Sequence, residues 1–487
     1  DKVVKMFTDE WYKDIIGSAY NNGVPRLLLA QGTPVQAQVG TLEPFRIDTY
    51  AILGHIGVLL TLVPVVFFIV SRKVISQSFL NEKHSDTHSF PTRRSSDLVG
   101  DEVREGMILG KASGFISSPV HSPIPGKVKE IKDVYLHNGL KSKAVVIEME
   151  GEFDRLGKEQ EKREWNQLSD KELLDIITEN GIVGLGGATF PSHVKFSIPK
   201  GKKAELFVVN GVECEPYLTI DHRLMLEKTD ELFEGVKIIQ KILKPERIAI
   251  GIEENKPDAI EHIQKRAEEL ELPLEVVALR LKYPQGDEKL LLKALTGQEV
   301  PSGGLPIDIG AVVSNAGTVY SIYEAVVYGK PLIERLVTVS GGAIKNPANL
   351  KVRIGTPIGE LIEECGGFTE VPEKIVAGGP MTGFAVYDLD TPVVKGTSGI
   401  LALTSKEVHG ARRTNCISCG RCVEACPVSL NPTKLFKLVD HLEYESAVEL
   451  GLNDCRECGS CAFMCPAHIP LAQGIKLGKR MARKKKG

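Results

Sequence analysis

Eight cysteines towards the C-terminal end carry the most specific chemistry in the sequence. They form two copies of one run: Cys416, Cys419, Cys422 and Cys426-Pro427, then Cys455, Cys458, Cys461 and Cys465-Pro466. Each copy has the spacing C-x2-C-x2-C-x3-C-P, the pattern that holds two four-iron clusters. Three thiolates on one tight loop hold three corners of a cubane, while the proline directs the fourth cysteine away to serve the other cluster. The expected sets are therefore Cys416, Cys419, Cys422 with Cys465, and Cys455, Cys458, Cys461 with Cys426. Zinc is the competing metal. A zinc ribbon needs only two C-x2-C pairs, which leaves the third cysteine, the x3 spacing and the proline of each run unexplained. Paired clusters move electrons singly. Cys214 and Cys365 fall outside the pattern, and a lone cysteine reads first as a small buried hydrophobe.

A second constellation is built for anions. In the stretch from Gly181 to Pro191, Gly184, Gly186 and Gly187 let backbone N–H groups approach a charged group closely, and Lys195 follows four residues later. It is not a dinucleotide fingerprint, because position 189 is Thr and the loop follows a helix. Nor does the chain contain a Walker loop. Alone, this stretch reads first as an ordinary turn. Three later stretches support it, each after a strand: Asn210 to Pro216 with Glu213 and Glu215, Tyr283 to Glu288 with Asp287, and Ser314 to Thr318 with Asn315. Carboxylates in such loops accept hydrogen bonds from ribose hydroxyls and disfavour a 2′-phosphate, which points to NADH over NADPH. Taken singly, each acid reads as a solvated turn or a helix cap.

Elements must hold these loops in place. The 487 residues predict several domains, and 42% hydrophobic with 25% charged residues excludes a disordered, collagen-like or polytopic membrane chain. A net charge of -3 gives no general nucleic-acid footprint. Ten cysteines are too few for a disulfide-built scaffold of this length, so they mark a local cofactor site. From Val99 short apolar pieces punctuated by Gly and Pro, including Lys127 to Lys132 and Lys143 to Glu148, predict a small all-β unit. From Ser169 to Tyr328 strands alternate with helices. Ser169 and Glu172 make a capping-box pattern, and strands are expected at 206–210, 248–252, 274–281 and 311–313. That alternation argues an α/β sheet domain. A smaller α+β unit follows, with strands near 336–340 and 350–354 and a helix near 358–365.

The leading 98 residues read differently. Positions 50–71 include a charge-free run, Ala51 to Val70, long enough to cross a bilayer and followed by Arg72 and Lys73. If it spans, the basic flank puts the rest in the cytoplasm. The polar run 84–98, HSDTHSFPTRRSSDL, reads either as a disordered linker or as translated adapter sequence joining unrelated text. At the other end, 476–487 is a basic tail, either a solubilising end or an attraction for anionic lipid or an acidic partner.

Gly184 to Pro191, Asn210 to Pro216 and Tyr283 to Glu288 resemble the flavin-binding module in the NADH-oxidising subunit of respiratory complex I. The order of the modules is similar to that of the C subunits of Rnf electron-transport complexes. It runs from VGDEVREGMILGKASGFISSPVHSPIPGKV through PSGGLPIDIGAVVSNAGT, GGPMTG and PVVKGTSGILAL to the two cysteine runs. The resemblance covers roughly Val99 to the C-terminus. It implies a multidomain α/β and α+β chain: a partial barrel-sandwich hybrid at 99–152, a Rossmann-like FMN- and NADH-binding domain at 165–330, a β-grasp SLBB domain at 331–405, and a ferredoxin-like two-[4Fe-4S] domain at 406–475. The family's usual opening is missing, so Val99 resumes in mid-motif.

The resemblance further implies that FMN is held by Gly184, Gly186, Gly187, Lys195, Asn210, Glu213, Glu288, Asn315 and Thr318. NADH stacks near Phe190, with Glu213, Glu215 and Asp287 at its polar groups. The implied activity is that of an NADH-linked oxidoreductase subunit of an ion translocase. Integral membrane and ferredoxin-like subunits are its partners, ferredoxin is reached through the complex, and the place is the cytoplasmic face of the bacterial plasma membrane. No acid–base residue is required for hydride transfer. On the residues alone two other classes stay open, an iron–sulfur carrier or docking scaffold without flavin and a binding module with structural zinc.

Overall fold

The computed structural model describes residues 99–408 and 412–484, and ahead of them only the backbone of short strand segments at 20–21, 24–25, 68–69 and 73–77. The expected linker 84–98 lies outside the described residues. So does the candidate span 50–71, apart from Phe68–Ile69, which pair in parallel with Lys351 and Val352. No helix among the described residues is long and apolar enough to cross a membrane.

The first domain is a small β unit. Strands β1 (Lys73–Gln77), β2 (Glu102–Val103), β3 (Ile108–Gly110), β4 (Val120–His121), β5 (Gly126–Tyr135) and β6 (Lys141–Met149) form two sheets, one ordered β1-β6-β5-β2 and the other β3-β4. Val128 and Ile147 turn inward onto Val103 and Ile124, while Lys127 and Lys129 point out, the period-2 pattern of a sheet with one buried face. β1 comes from ahead of Val99, where the sequence pattern placed no part of this domain. Its backbone runs antiparallel to β6 from Lys73↔Glu148 to Gln77↔Ala144, covering an edge whose polar groups would otherwise be unpaired.

The central domain begins with α1 (Asp170–Glu179) and α2 (Ser192–Phe196). The capping box is present: Glu172 N–H donates to Ser169 Oγ, and Ser169 N–H donates to Glu172 Oε2 at 2.7 Å. A four-stranded parallel sheet follows, ordered β9-β8-β7-β10, from β7 (Leu206–Asn210), β8 (Arg247–Glu253), β9 (Glu275–Leu279) and β10 (Ala311–Asn315). Leu206 to Val209 is an unbroken apolar run because the strand is covered on both faces. The crossovers are α3 (Ile220–Glu227), α4 (Thr229–Leu243), α5 (Pro257–Glu269) and α6 (Glu288–Thr296), and α7 (Ala316–Tyr328) closes the domain. Asn210 and Asn315 end their strands in register with each other and with Gly251, two residues before the end of β8, so the loops that follow share one edge.

The third domain is a mixed sheet ordered β14-β13-β15-β11-β12, from β11 (Glu334–Ser340), β12 (Ala348–Arg353), β13 (Lys374–Ala377), β14 (Phe384–Val386) and β15 (Gly399–Leu403), with α8 (Ile358–Glu364) packed on it. Cys365 lies in its core among Leu361, Ile362 and Val339, as a small hydrophobe does. A buried ion cluster ties it to the first domain, with Arg353 Nη1 2.6 Å from Glu105 and Nε 3.3 Å from Glu334.

The last domain carries the cysteines on α9 (Arg421–Glu424), α10 (Pro432–Asp440), α11 (Tyr444–Glu449), α12 (Ser460–Phe463) and the loops between them. Positions 476–484, expected as part of a basic tail, are instead the bulk of a helix, α13 (Leu471–Lys484). Ile475 and Ala482 bury one face of it against Leu435, Val439 and Ala447, and Lys479 is only 8% exposed. Apolar residues spaced between the lysines draw the segment onto the domain, where Lys476 and Lys479 pair with Glu457 while Arg480 and Arg483 stay exposed.

Candidate functional site

The glycine-rich loop leaves α1 and is closed by Gly184 N–H donating to Phe190 O at 2.8 Å. Thr318 Oγ accepts from Leu185 N–H at 2.9 Å, so the first turn of α7 holds the loop from below. Asn315 caps that helix by accepting from Thr318 N–H and donates to Asp221 at 2.7 Å. A Cβ on Gly186 would stand 2.8 Å from the Asn315 amide, so only glycine fits there. One on Gly187 would meet nothing within 4 Å, and that side of the loop is open. Lys195 reaches across to Glu288 at 2.7 Å and to the Val313 carbonyl at 2.9 Å. The Asn210 amide donates to Gly286 O at 2.9 Å. These contacts bring Gly184, Gly186, Gly187, Lys195, Asn210, Glu288, Asn315 and Thr318 to one edge of the sheet; Phe190 takes part through its carbonyl.

The three acids expected near NADH are placed differently from one another. Glu213 is buried and accepts from Asp221 N–H and His222 N–H at the start of α3. Burial, then the neighbouring Asp221 carboxylate, push its pKa up to about 8. Glu215 turns away to the third domain, where it accepts from the N–H groups of Met381 and Thr382, each at 3.0 Å, and from the Thr382 hydroxyl. Asp287 caps α6 and pairs with Arg456 of the cysteine domain at 2.6 Å. Two of the three carboxylates thus join domains.

Sequence reasoning missed Arg335. It comes from β11, is fully buried, and donates to Leu185 O at 2.7 Å, which holds the glycine-rich loop from another domain. Burial pulls its pKa down to about 10. The clue was a Glu334-Arg335 pair set between the apolar residues Leu332-Ile333 and Leu336-Val337. The Arg335 Nε and the Gln285 amide nitrogen are buried without a partner among the described residues, and both are donors flanking the loops that would take a polar ligand. A glycine cradle, an open Gly187 face and orphaned donors fit a phosphate-bearing flavin.

The cysteines group across the two runs. Cys416, Cys419, Cys422 and Cys465 line one cavity of about 290 Å³, with Ile417, Lys434 and Lys437 on its rim. Cys426, Cys455, Cys458 and Cys461 line a second, tighter one of about 20 Å³, closed by Leu435, Ala472 and Ile475. In the first set Cys416 and Cys419 are exposed. In the second, burial raises the thiols of Cys455, Cys458 and Cys461, the last to about 12. Four thiols in apolar surroundings suit iron–sulfur ligation, and their deprotonation accompanies metal loading.

The second cradle is proximal to the central domain. Tyr283 O–H donates to Cys458 O at 2.7 Å and Arg456 pairs with Asp287. Tyr217, Tyr283, Leu401 and Leu403 form one small core with Met381 and Cys458, drawn from three domains. A flavin-type loop set joined to a domain that carries two thiolate cradles defines an iron–sulfur flavoprotein of the electron-transferring class.

Comparison with known families narrows the class. Residues 98–152 match the RnfC barrel sandwich hybrid domain, 177–324 the Nuo51 FMN-binding domain, 336–385 the SLBB domain and 415–469 the 4Fe-4S dicluster domain. The chain is 51% identical over 351 residues to the C subunit of the proton-translocating ferredoxin:NAD(+) oxidoreductase complex of Clostridium ljungdahlii, covering 72% of this chain and 76% of that one. It is 43% identical over 393 residues to the C subunit of the Na(+)-translocating ferredoxin:NAD(+) oxidoreductase complex of Acetobacterium woodii, covering 80% and 88%. To the C subunit of the ion-translocating oxidoreductase complex of Rhodobacter capsulatus it is 41% identical over 410 residues, covering 83% and 78%. The chain belongs to the family of C subunits of the Rnf-type ion-translocating ferredoxin:NAD oxidoreductase complexes.

Proposed function

We propose that this chain is the NADH-interacting electron-transfer subunit of such a complex, seated peripherally on the cytoplasmic face of the membrane with its integral-membrane and ferredoxin-like partner subunits. When bound, FMN takes the electron pair of a hydride and releases it singly, which matches a two-electron donor to two [4Fe-4S] clusters that each accept one. The chain's own residues supply position. Gly184, Gly186 and Gly187 admit the flavin phosphate to the backbone, while Lys195, Asn315 and Thr318 fix the loop ends around it. Asn210, Glu213 and Glu288 stand at the neighbouring strand ends, and Phe190 offers a ring for stacking of NADH. Glu213 serves both ligands. Glu215 and Asp287 act at the NADH end through the domains they hold in place.

One observation carries the reading: the loop of the proximal cradle is hydrogen-bonded to Tyr283 and Asp287, on the stretch whose Gly286 and Glu288 meet Asn210 and Lys195 at the flavin edge. The distal cradle, with Cys416 and Cys419 exposed, is placed to face a partner. Among the described residues its lining includes Lys434 and Lys437 and no acidic side chain. That favours an acidic electron-transfer partner.

Anaerobic reconstitution followed by counting is the test. About eight irons and one FMN per chain are expected, with both chromophores bleached by NADH. A protein with its irons but no flavin and no response to NADH would be the carrier or scaffold reading instead, and zinc in place of iron would overturn both.

A further inference from the structure

The joint between the central domain and the proximal cradle contains more than packing requires. The cradle loop from Arg456 to Gly459 is held at three successive points by groups outside its own domain. Arg456 pairs with Asp287, which also caps α6, at 2.6 Å. The Cys458 carbonyl accepts from the Tyr283 phenol at 2.7 Å. Gly459, at φ 83°, lies so close to the Met381 carbonyl that an added Cβ would stand 2.6 Å from it, and Met381 N–H is in turn held by Glu215. Tyr283 is 7% exposed and packs with Tyr217, Leu401 and Leu403, so its ring has one position available.

We propose that Tyr283 is a positioning residue for the proximal cluster. Its phenol fixes the peptide of the ligand Cys458, and with it the orientation of the thiolate ligand and the separation of the cradle from the flavin loops. The inference rests on the electron-transfer reading above and adds to it a residue whose hydroxyl acts on the cluster loop. The chemistry is specific to the hydroxyl. Phenylalanine would keep the ring in the shared core but leave a buried carbonyl without its donor, and the peptide dipole beside the cluster would reorient towards other partners. Cluster potentials respond to such local dipoles and hydrogen bonds, so the cluster itself reports the change. Arg456 acts on the same loop from the other side, through a pair that is only partly buried.

The test uses the full chain, reconstituted anaerobically, as wild type, Tyr283→Phe and Arg456→Gln. Wild type first establishes the reading: if NADH does not bleach its flavin, the electron-transfer function fails and the inference with it. With wild type active, Tyr283→Phe is expected to keep its iron, its FMN and the rate at which NADH bleaches the flavin. The EPR spectrum and midpoint potential of the proximal cluster shift while those of the distal cluster do not. Reduction of the proximal cluster after flavin bleaching slows about tenfold, the scale of a small misplacement of reacting groups. Arg456→Gln is expected to move the same cluster signal in a smaller degree without touching the hydroxyl. Unchanged proximal spectrum, potential and transfer rate in Tyr283→Phe would overturn the proposal. So would loss of FMN in proportion to loss of transfer, which would make Tyr283 part of the flavin pocket. If Tyr283→Phe does not fold, an Arg456→Gln protein with an unaltered proximal signal overturns the claim that this joint sets the cluster.

Discussion

The two thiolate cradles are near copies in sequence and in backbone. Ser418 and Glu457 both adopt positive φ, at 56° and 57°, and Gly420 and Gly459 follow at 77° and 83°. The N–H groups of Ser418 and Glu457 each donate to a cysteine sulfur two residues back, at 3.4 Å. A four-residue helix then carries the third cysteine of each run. The cradles differ in the residues between the ligands: Ile417 and Ser418 in one stand where the other has Arg456 and Glu457, and Glu424 stands where the other has Phe463, which packs against the shared core. Ile417 is 67% exposed. Arg456 is engaged by Asp287, and Glu457 by Lys479 at 2.7 Å. The ligand spacing specifies a cluster; the residues between the ligands decide whether it faces the flavin domain or the outside.

The largest effect expected from breaking this comparison comes from the cross-shared ligands. Cys465→Ala should remove about four irons and the distal EPR signal, leaving NADH bleaching of flavin and the proximal cluster in place. Cys426→Ala should do the reverse, sparing the distal signal. If each run served its own cluster, the two outcomes would be exchanged, so one iron count with one spectrum per variant settles the assignment.

The two glycines provide the next test. Both have positive φ, which for alanine costs about 1–2 kcal/mol. A Cβ at Gly420 meets nothing within 4 Å, whereas at Gly459 it collides with the Met381 carbonyl. Gly420→Ala should therefore cost only the backbone penalty. Gly459→Ala adds an overpacking cost of about 1–3 kcal/mol and should loosen the proximal cluster. Equal losses of melting temperature would show that the cradles are not differently constrained.

The capping box at Ser169, the strand at Leu206 to Asn210 and the division of the eight cysteines into two groups were legible because each is a local pattern with a local cause. Ser169 and Glu172 satisfy each other's backbone, an unbroken apolar run signals a doubly covered strand, and cysteine spacing reflects the size of a cluster. The contacts that Glu215 and Asp287 make between domains were not legible. An acid after a strand looks the same whether it meets a ribose or another domain, and its partners here, Met381 and Arg456, are more than 160 positions away. The last helix misled for a related reason. Lysine density suggested a tail, but Ile475 and Ala482 at helical spacing found a surface that only the folded domain provides.

The flavin side should also differ from the distal side in its response to pH. Glu213, with its pKa raised from the ordinary 4.5 to about 8, keeps its proton in the folded protein across an interval in which the unfolded chain has lost it. The folded state then binds more protons, so stability falls as pH rises from about 4.5 to about 8. Thermal unfolding followed at several pH values should show this decline, by several degrees, and Glu213→Gln should flatten it. A Glu213→Gln protein with an unchanged pH slope would place the titrating group elsewhere.

The smallest effect belongs to the distal rim, and it separates docking from catalysis within the chain. Lys434 and Lys437 line that cavity beside the exposed Ile417. Exposed charges of this kind steer an encounter more than they hold a complex, and salt screens them within about 10 Å at 0.1 M ionic strength. Lys434→Gln with Lys437→Gln should leave cofactor content and NADH bleaching unchanged while slowing electron delivery to an acidic iron–sulfur partner several-fold at low salt. The difference from wild type should shrink as salt is added, because the same screening removes the wild-type advantage. A wild-type transfer rate that does not depend on ionic strength would mean that the distal cradle meets its partner by apolar contact through Ile417 and Val423, and that its basic rim contributes only solubility.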